Sequence, residues 1–299
     1  MHADEVHIDA ALVRRLIAGQ FPQWAGLPLQ PIRSGGTDNA IYRLGRDVAV
    51  RLPRRPGASG QASKEQQWLP LLAPRLPLGV PVPIGMGMPG DGYPYHWSVY
   101  RWLPGESALA SPIADLSRAA RDLARFICAL QQMNAVGGPA PGERNSFRGE
   151  PLANRDAETR AAITRLTREI DTNAALAAWE VALHAPSWNR PPVWIHGDLH
   201  PANMLVQEGR LSAVVDFGCL GVGDPACDVM AAWTLLSAET RGLFRAALNV
   251  DDATWVRGRG WALSFGLIAL PYYLNTNPVL VEISRRAITE VLADHRTDA

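Results

Sequence analysis

At 299 residues, 47% of them hydrophobic and 19% charged, the chain is long enough for one large domain or two lobes around a cleft. Basic and acidic residues number 29 each, for a formal net charge of zero, which excludes a broad nucleic-acid or anionic-membrane surface. No apolar run approaches the ~20 residues a membrane helix needs, the first residues lack a signal-peptide layout, and Cys128, Cys219 and Cys227, with no C-x-x-C pair, fit a reducing cytoplasm rather than a disulfide framework.

Near-helical spacing of Val6, Ile8, Leu12, Val13 and Leu16 predicts a helix over residues 5–19. Strands follow at 29–33, 40–44 and 48–52, with the turn-rich Ser34-Gly35-Gly36-Thr37-Asp38-Asn39 between the first two. Residues 62–72 read as a helix ended near Pro70, and a proline-rich passage runs from Pro74 to Pro89. Residues 97–102 read as a strand that stops at Leu103-Pro104-Gly105, where a boundary between two lobes, 1–104 and 105–299, is expected. Ser111-Pro112 has the form of a helix start, and Leu116, Ala120, Leu123, Ile127 and Leu130 make an apolar stripe. Residues 157–184 read as largely helical, 193–195 and 211–215 as short strands that could pair as a hairpin, and the chain from Ala226 onward as helical. The order is α+β: a small β-rich part, then a larger, mainly helical part.

The densest chemical signal is His196-Gly197-Asp198-Leu199-His200-Pro201-Ala202-Asn203, with Asp216-Phe217-Gly218 thirteen residues after Asn203. Phosphoryl transfer requires a carboxylate to orient or accept the proton of the attacking hydroxyl. It also requires oxygen ligands that hold Mg²⁺ against nucleotide phosphates. Asp198 suits the first role, and Asn203 and Asp216 the second. The Asp-to-Asn spacing of five and the D-F-G triplet match the kinase pattern, each behind an apolar β-type run. Alone, Asp198 reads as a loop carboxylate and Asp216 as a turn residue; together and in order they carry more. A competing reading takes His196, Asp198 and His200 as transition-metal ligands of a metallohydrolase, although no further cluster completes such a set.

On the nucleotide side, Ala49 and Arg51 lie two apart on a strand and share a face. Kinases place an alanine against the base and a lysine on the phosphates at these positions. Lys64, the only lysine, falls on the following helix, so Arg51 is the phosphate-binding candidate, with Glu65 as its partner; a solvated Lys64–Glu65 surface pair is the plain alternative. Ser34, Gly35, Gly36 and Thr37 could cover phosphates through backbone N–H groups or form an ordinary turn. Tyr100 to Trp102 could offer hinge groups to the base or be an edge strand.

His196 to Asn203 together with Val215-Asp216-Phe217-Gly218 resembles the aminoglycoside phosphotransferase family, a branch of the protein-kinase-like fold. Gly223-Asp224-Pro225-Ala226-Cys227-Asp228 is similar to that family's G-D-P-x-x-D stretch. The resemblance spans about residue 25 to the C-terminus. It implies a two-lobed kinase fold, ATP or GTP with Mg²⁺, and phosphorylation of a small-molecule hydroxyl. It also implies Asp198 as base, Asn203 and Asp216 as magnesium ligands, and Asp224 and Asp228 as stabilisers of the C-terminal lobe. The departure is Arg51, where many members carry lysine, and it leaves a non-catalytic nucleotide-binding module as the second reading. From Val229 onward seven arginines balance seven acidic residues, so no acid-rich pocket for a polycation is expected. Trp233, Trp255, Trp261, Phe265, Tyr272 and Tyr273 in the same stretch either line a pocket for a neutral or partly apolar acceptor or form helix core.

Overall fold

The computed structural model describes residues 5–32 and 38–298. Ser34, Gly35, Gly36 and Thr37, expected over the phosphates, lie outside them. Helix α1 (Ala10–Gln20) precedes strands β1 (Leu29–Ile32), β2 (Asn39–Leu44) and β3 (Val48–Pro53), then helix α2 (Gln61–Leu72) and strands β4 (Pro83–Gly87) and β5 (Trp97–Arg101). These strands form one antiparallel sheet in the order β1-β2-β3-β5-β4. Its alternation divides the two faces. Val48, Val50 and Leu52 pack with Leu12, Val13, Leu16 and Ile17 of α1 in one core, whereas Ala49 lies against the larger core of the rest of the chain.

The larger part begins with β6 (Glu106–Ser107) and holds α3 (Leu116–Gln131), α4 (Asp156–Arg165) and α5 (Thr172–His184). Strands β7 (Val193–Ile195), β8 (Met204–Gln207), β9 (Arg210–Val214) and β10 (Gly221–Gly223) follow. Helices α6 (Ala226–Val229), α7 (Ala231–Thr234), α8 (Ala238–Leu248), α9 (Asp252–Tyr273) and α10 (Pro278–Asp298) complete it. Helix α9 is apolar around most of its circumference, and its central residues are buried, as a helix surrounded by others must be. Leu69 and Leu72 of α2 also join this larger core, so α2 bridges the two parts. Among the described residues no helix is long and apolar enough to cross a membrane.

Several boundaries differ from the sequence expectation for local reasons. Helix α1 starts only at Ala10 because the Asp9 carboxylate caps it, accepting from Leu12 N at 2.8 Å. Helix α3 likewise starts at Leu116 and not at Ser111-Pro112, capped by Asp115 through Arg118 N at 2.9 Å. The long helix expected over 157–184 is two, the second capped by Asp171. Strand 193–195 does not pair with 211–215. Glu208 and Gly209 both take positive φ (52° and 73°), the geometry of a two-residue hairpin turn, so β8 pairs with β9 and β7 is left to pair with β10.

Candidate active site

Strand β7 delivers His196 into a loop fastened from below. The buried Asp228 carboxylate accepts the N–H of His196 at 2.8 Å and of Gly197 at 2.7 Å. Burial pushes its carboxyl up to about 7 against the pull of those two donors. Gly197 sits at φ +83°, where a Cβ would lie 2.8 Å from the Cys219 carbonyl oxygen and 3.0 Å from Arg148 Cβ; only glycine fits. The His196 ring faces Val215 O at 3.1 Å through Nε2, and its Nδ1 accepts the Asp198 N–H at 3.2 Å. Both nitrogens are therefore used, with the proton on Nε2, since a carbonyl only accepts. Burial lowers the imidazole to about 4 and keeps it neutral. The transition-metal reading of His196, Asp198 and His200 fails on this geometry, and no cluster of three or more such ligands exists among the described residues. The other aspartate of this stretch, Asp224, is buried and paired with Arg257 at 2.8 and 3.1 Å, tying the start of α6 to α9.

Asp198 projects from this loop with 23% of its side chain exposed. Asn203 Nδ2 donates to Asp198 Oδ2 and to its carbonyl, both at 3.0 Å. His200 Nε2 lies 3.3 Å from Oδ2, and Arg148 Nη2 lies 3.6 Å from Oδ1. Burial favours the neutral acid, but His200 and then the Arg148 guanidinium outweigh it and hold the carboxyl well below the usual carboxylate range.

Val215 N donates to Asn203 O at 2.9 Å, which sets Asp216 beside Asn203. Asp216 takes φ +62°, a conformation uncommon outside glycine, and accepts the Gly218 N–H at 3.3 Å. From the sheet, Arg51 reaches Asp216 Oδ1 through Nη2 at 2.5 Å, Glu65 Oε1 through Nη1 at 2.6 Å and Gln61 Oε1 at 3.0 Å. Burial disfavours its charge, yet Asp216 and Glu65 keep the guanidinium protonated beyond its ordinary value. The sequence-expected Arg51–Glu65 pair is thus formed, and Lys64 and Glu65 are not a solvated surface pair. Lys64 Nζ turns the other way and donates to the carbonyls of Gly218 at 2.5 Å and of Leu220 and Arg144 at 3.1 Å. Asn203 and Asp216 offer a carboxamide and a carboxylate, hard oxygen donors that fit Mg²⁺ and not a soft metal. Tyr100 lies in β5 and Trp102 directly after it. The Tyr100 hydroxyl donates to Glu65 Oε2 inside the fold, and the Trp102 N–H is taken by Asp47 O at 2.8 Å.

Sequence reasoning missed Gln61 and Arg148. Arg148 is one of 28 arginines and sits in an irregular loop, so nothing local marks it. Its guanidinium lies 5.5 Å from the Trp261 ring and 6.0 Å from the Phe265 ring, and Phe265 stacks on His200 at 5.8 Å. These two aromatics of α9 therefore reach the surroundings of Asp198. Trp233 is core, and Tyr272 is 56% exposed.

A sequence model of the phosphotransferase enzyme family matches residues 29–261. Among functionally curated proteins none matches. Solved structures agree in fold. The GDP complex of aminoglycoside 2'-phosphotransferase-IIIa is 19% identical with a TM-score of 0.72, over 96% of this chain and 99% of that one. Macrolide 2'-phosphotransferase MphH from Brachybacterium faecium is 24% identical with a TM-score of 0.61, over 94% of this chain and 98% of that one. The chain belongs to the phosphotransferase enzyme family.

Proposed function

We propose that the chain is a small-molecule O-phosphotransferase that moves the γ-phosphate of ATP or GTP to a hydroxyl of an antibiotic-like or metabolite acceptor. Asp198 is the catalytic base, and Asn203 and Asp216 hold Mg²⁺. The carrying observation is the geometry around Asp198. A partly exposed carboxylate, kept ionised, is bonded to Asn203, and Asn203 is bonded through its backbone to the residue before Asp216. Arg51 takes the phosphate-binding role and Ala49 the wall of the base pocket. The smaller part, residues 1–104, is the nucleotide lobe, and residues 105–299 bind the acceptor. A relative in fold supports the nucleotide reading, since aminoglycoside 2'-phosphotransferase-IIIa was solved with GDP bound. A reducing cytoplasm suits the three unpaired cysteines.

In this reaction the acceptor oxygen forms a bond to the γ-phosphorus while the bridge to the β-phosphate breaks, and the hydroxyl proton passes to Asp198. A carboxylate held this acidic is a weak base. That suits a loose transition state, in which the proton leaves late and orientation of the hydroxyl matters most. Bound Mg²⁺ supplies neutralisation of the phosphate charge. Arg51, held by Glu65, Gln61 and Asp216, is positioned beside the proposed metal-binding carboxylate before nucleotide arrives. The intact Asp198, Asn203 and Asp216 set disfavours the non-catalytic module. Calorimetry with ATP and GTP, each with and without Mg²⁺, tests the reading: Mg-dependent binding of one of them is expected, and no binding of either rejects it.

A further inference from the structure

An acceptor hydroxyl that gives its proton to Asp198 must come within about 3 Å of that carboxylate. Whatever binds at Asp198 Oδ1 then lies next to Arg148, whose Nη2 is 3.6 Å from the same oxygen. Arg148 is only 8% exposed, yet its Nε and Nη1 have no hydrogen-bond partner within the protein. A buried guanidinium normally has its donors matched, because an unmatched buried charge is costly. The Cys219 thiol faces it but brings no charge, since burial raises that thiol to about 11.

A second cation lies close by. Trp261 has Arg148 5.5 Å from its ring and Arg155 4.9 Å from it. Burial, and then the charge of Arg148, pull Arg155 down to about 10. Glu158 and Glu150 offset Arg155, so the cation left with a single close carboxylate is Arg148. The inward-turned acids of the C-terminal helices do not change that balance. Asp294 is bonded to Arg241, Arg259 and the Trp233 indole, and Glu290 to Arg241. An amino-rich polycation would meet Arg148 beside the base, with Asp294 and Glu290 already bonded to arginines.

We propose that Arg148 is the anion-recognising residue of the acceptor subsite, and that the acceptor is a hydroxylated carboxylic acid whose carboxylate lies a few bonds from the hydroxyl that is phosphorylated. A carboxylate bonded to Nη2, the nitrogen that lies 3.6 Å from Asp198 Oδ1, adds a second counter-charge and sets its hydroxyl against Asp198. This inference rests on the phosphotransferase reading and narrows its substrate class from neutral to acidic.

The experiment measures Mg-nucleotide consumption by the full chain with matched acceptors: glycerate against glyceramide, gluconate against glucose, and hydroxyproline against its amide, with kanamycin and erythromycin alongside. At least one acid is expected to exceed its uncharged partner about tenfold or more in kcat/KM. Arg148→Gln should erase that preference through KM, and Arg148→Lys should keep part of it. Nucleotide affinity, read by calorimetry on the same samples, separates the two readings. Without nucleotide binding both fall. With binding, the Arg148 assignment alone is overturned if no acid is used, if neutral or polycationic acceptors are used as well as the acids, or if Arg148→Gln keeps the preference. Should that variant not fold, the wild-type pairs decide the question.

Discussion

Two buried arginines flank the candidate centre and are treated in opposite ways. Arg51, with 13% of its side chain exposed, has three acceptors within 3.0 Å on Glu65, Gln61 and Asp216. Arg148, with 9% exposed, has one carboxylate at 3.6 Å and two donors without a partner. The first arrangement makes a cation part of the scaffold, its position set before any nucleotide arrives. The second leaves hydrogen-bonding capacity unspent. The same side chain at similar burial thus reads as a fixed strut on one side of the cleft and as a recognition group on the other.

The comparison breaks first at Asp198, which belongs to both sides. Asp198→Ala should lower transfer by about 10²–10⁴-fold, as loss of a positioned base does, while nucleotide affinity stays within about threefold. Turnover assays and calorimetry read these separately, and a comparable loss of nucleotide affinity would merge the two sides into one. Next, Arg51→Met should destabilise the fold by about 3–5 kcal/mol in urea unfolding, because Glu65, 1% exposed, would be left as an uncompensated buried charge. A cost below about 1 kcal/mol is what an exposed pair gives and would show that Arg51 is no strut.

The acid response is smaller. His196 is neutral in the fold down to about pH 4, whereas a free imidazole takes its proton near 6.5. The unfolded chain therefore binds that proton first. Stability present above pH 6.5 declines as pH falls towards 4, by roughly 3 kcal/mol in total for this group. His196→Asn should flatten the fall across that window in denaturant titrations at several pH values, and an unchanged slope would remove the assignment. Last, Asp228→Asn keeps one acceptor for the two loop N–H groups and loses the other, at a cost of about 1–3 kcal/mol; unfolding curves and KM together show whether the loop under Asp198 has shifted.

The loop from His196 to Asn203 and the D-F-G triplet were legible because their chemistry is local: the spacing alone puts the groups near one another. The Arg51–Glu65 pair was legible from strand periodicity and the helix that follows. Arg148 was not, since it meets Asp198 only through a loop fifty residues upstream and two aromatics of α9. Strand β4 was hidden by its leading proline and the proline-rich passage around it. Pro83 is its first residue and β4 is an edge strand, where a missing N–H costs no ladder bond. The β8–β9 hairpin was missed, since the 193–195 and 211–215 runs were expected to pair, and a three-residue strand such as β7 has too few residues to declare its partner.

The anchoring of Lys64 fixes which piece of the molecule can turn. Its ammonium grips three carbonyls of the larger part, one residue before the glutamate that holds Arg51. Helix α2 is therefore tied to the helical body through Lys64 and to the sheet through Glu65, and the Arg51–Glu65 contact is the joint between them. Because Lys64 is the chain's single lysine, the rate at which an amine-acylating reagent reaches it would clock the loosening of that joint by one side chain alone.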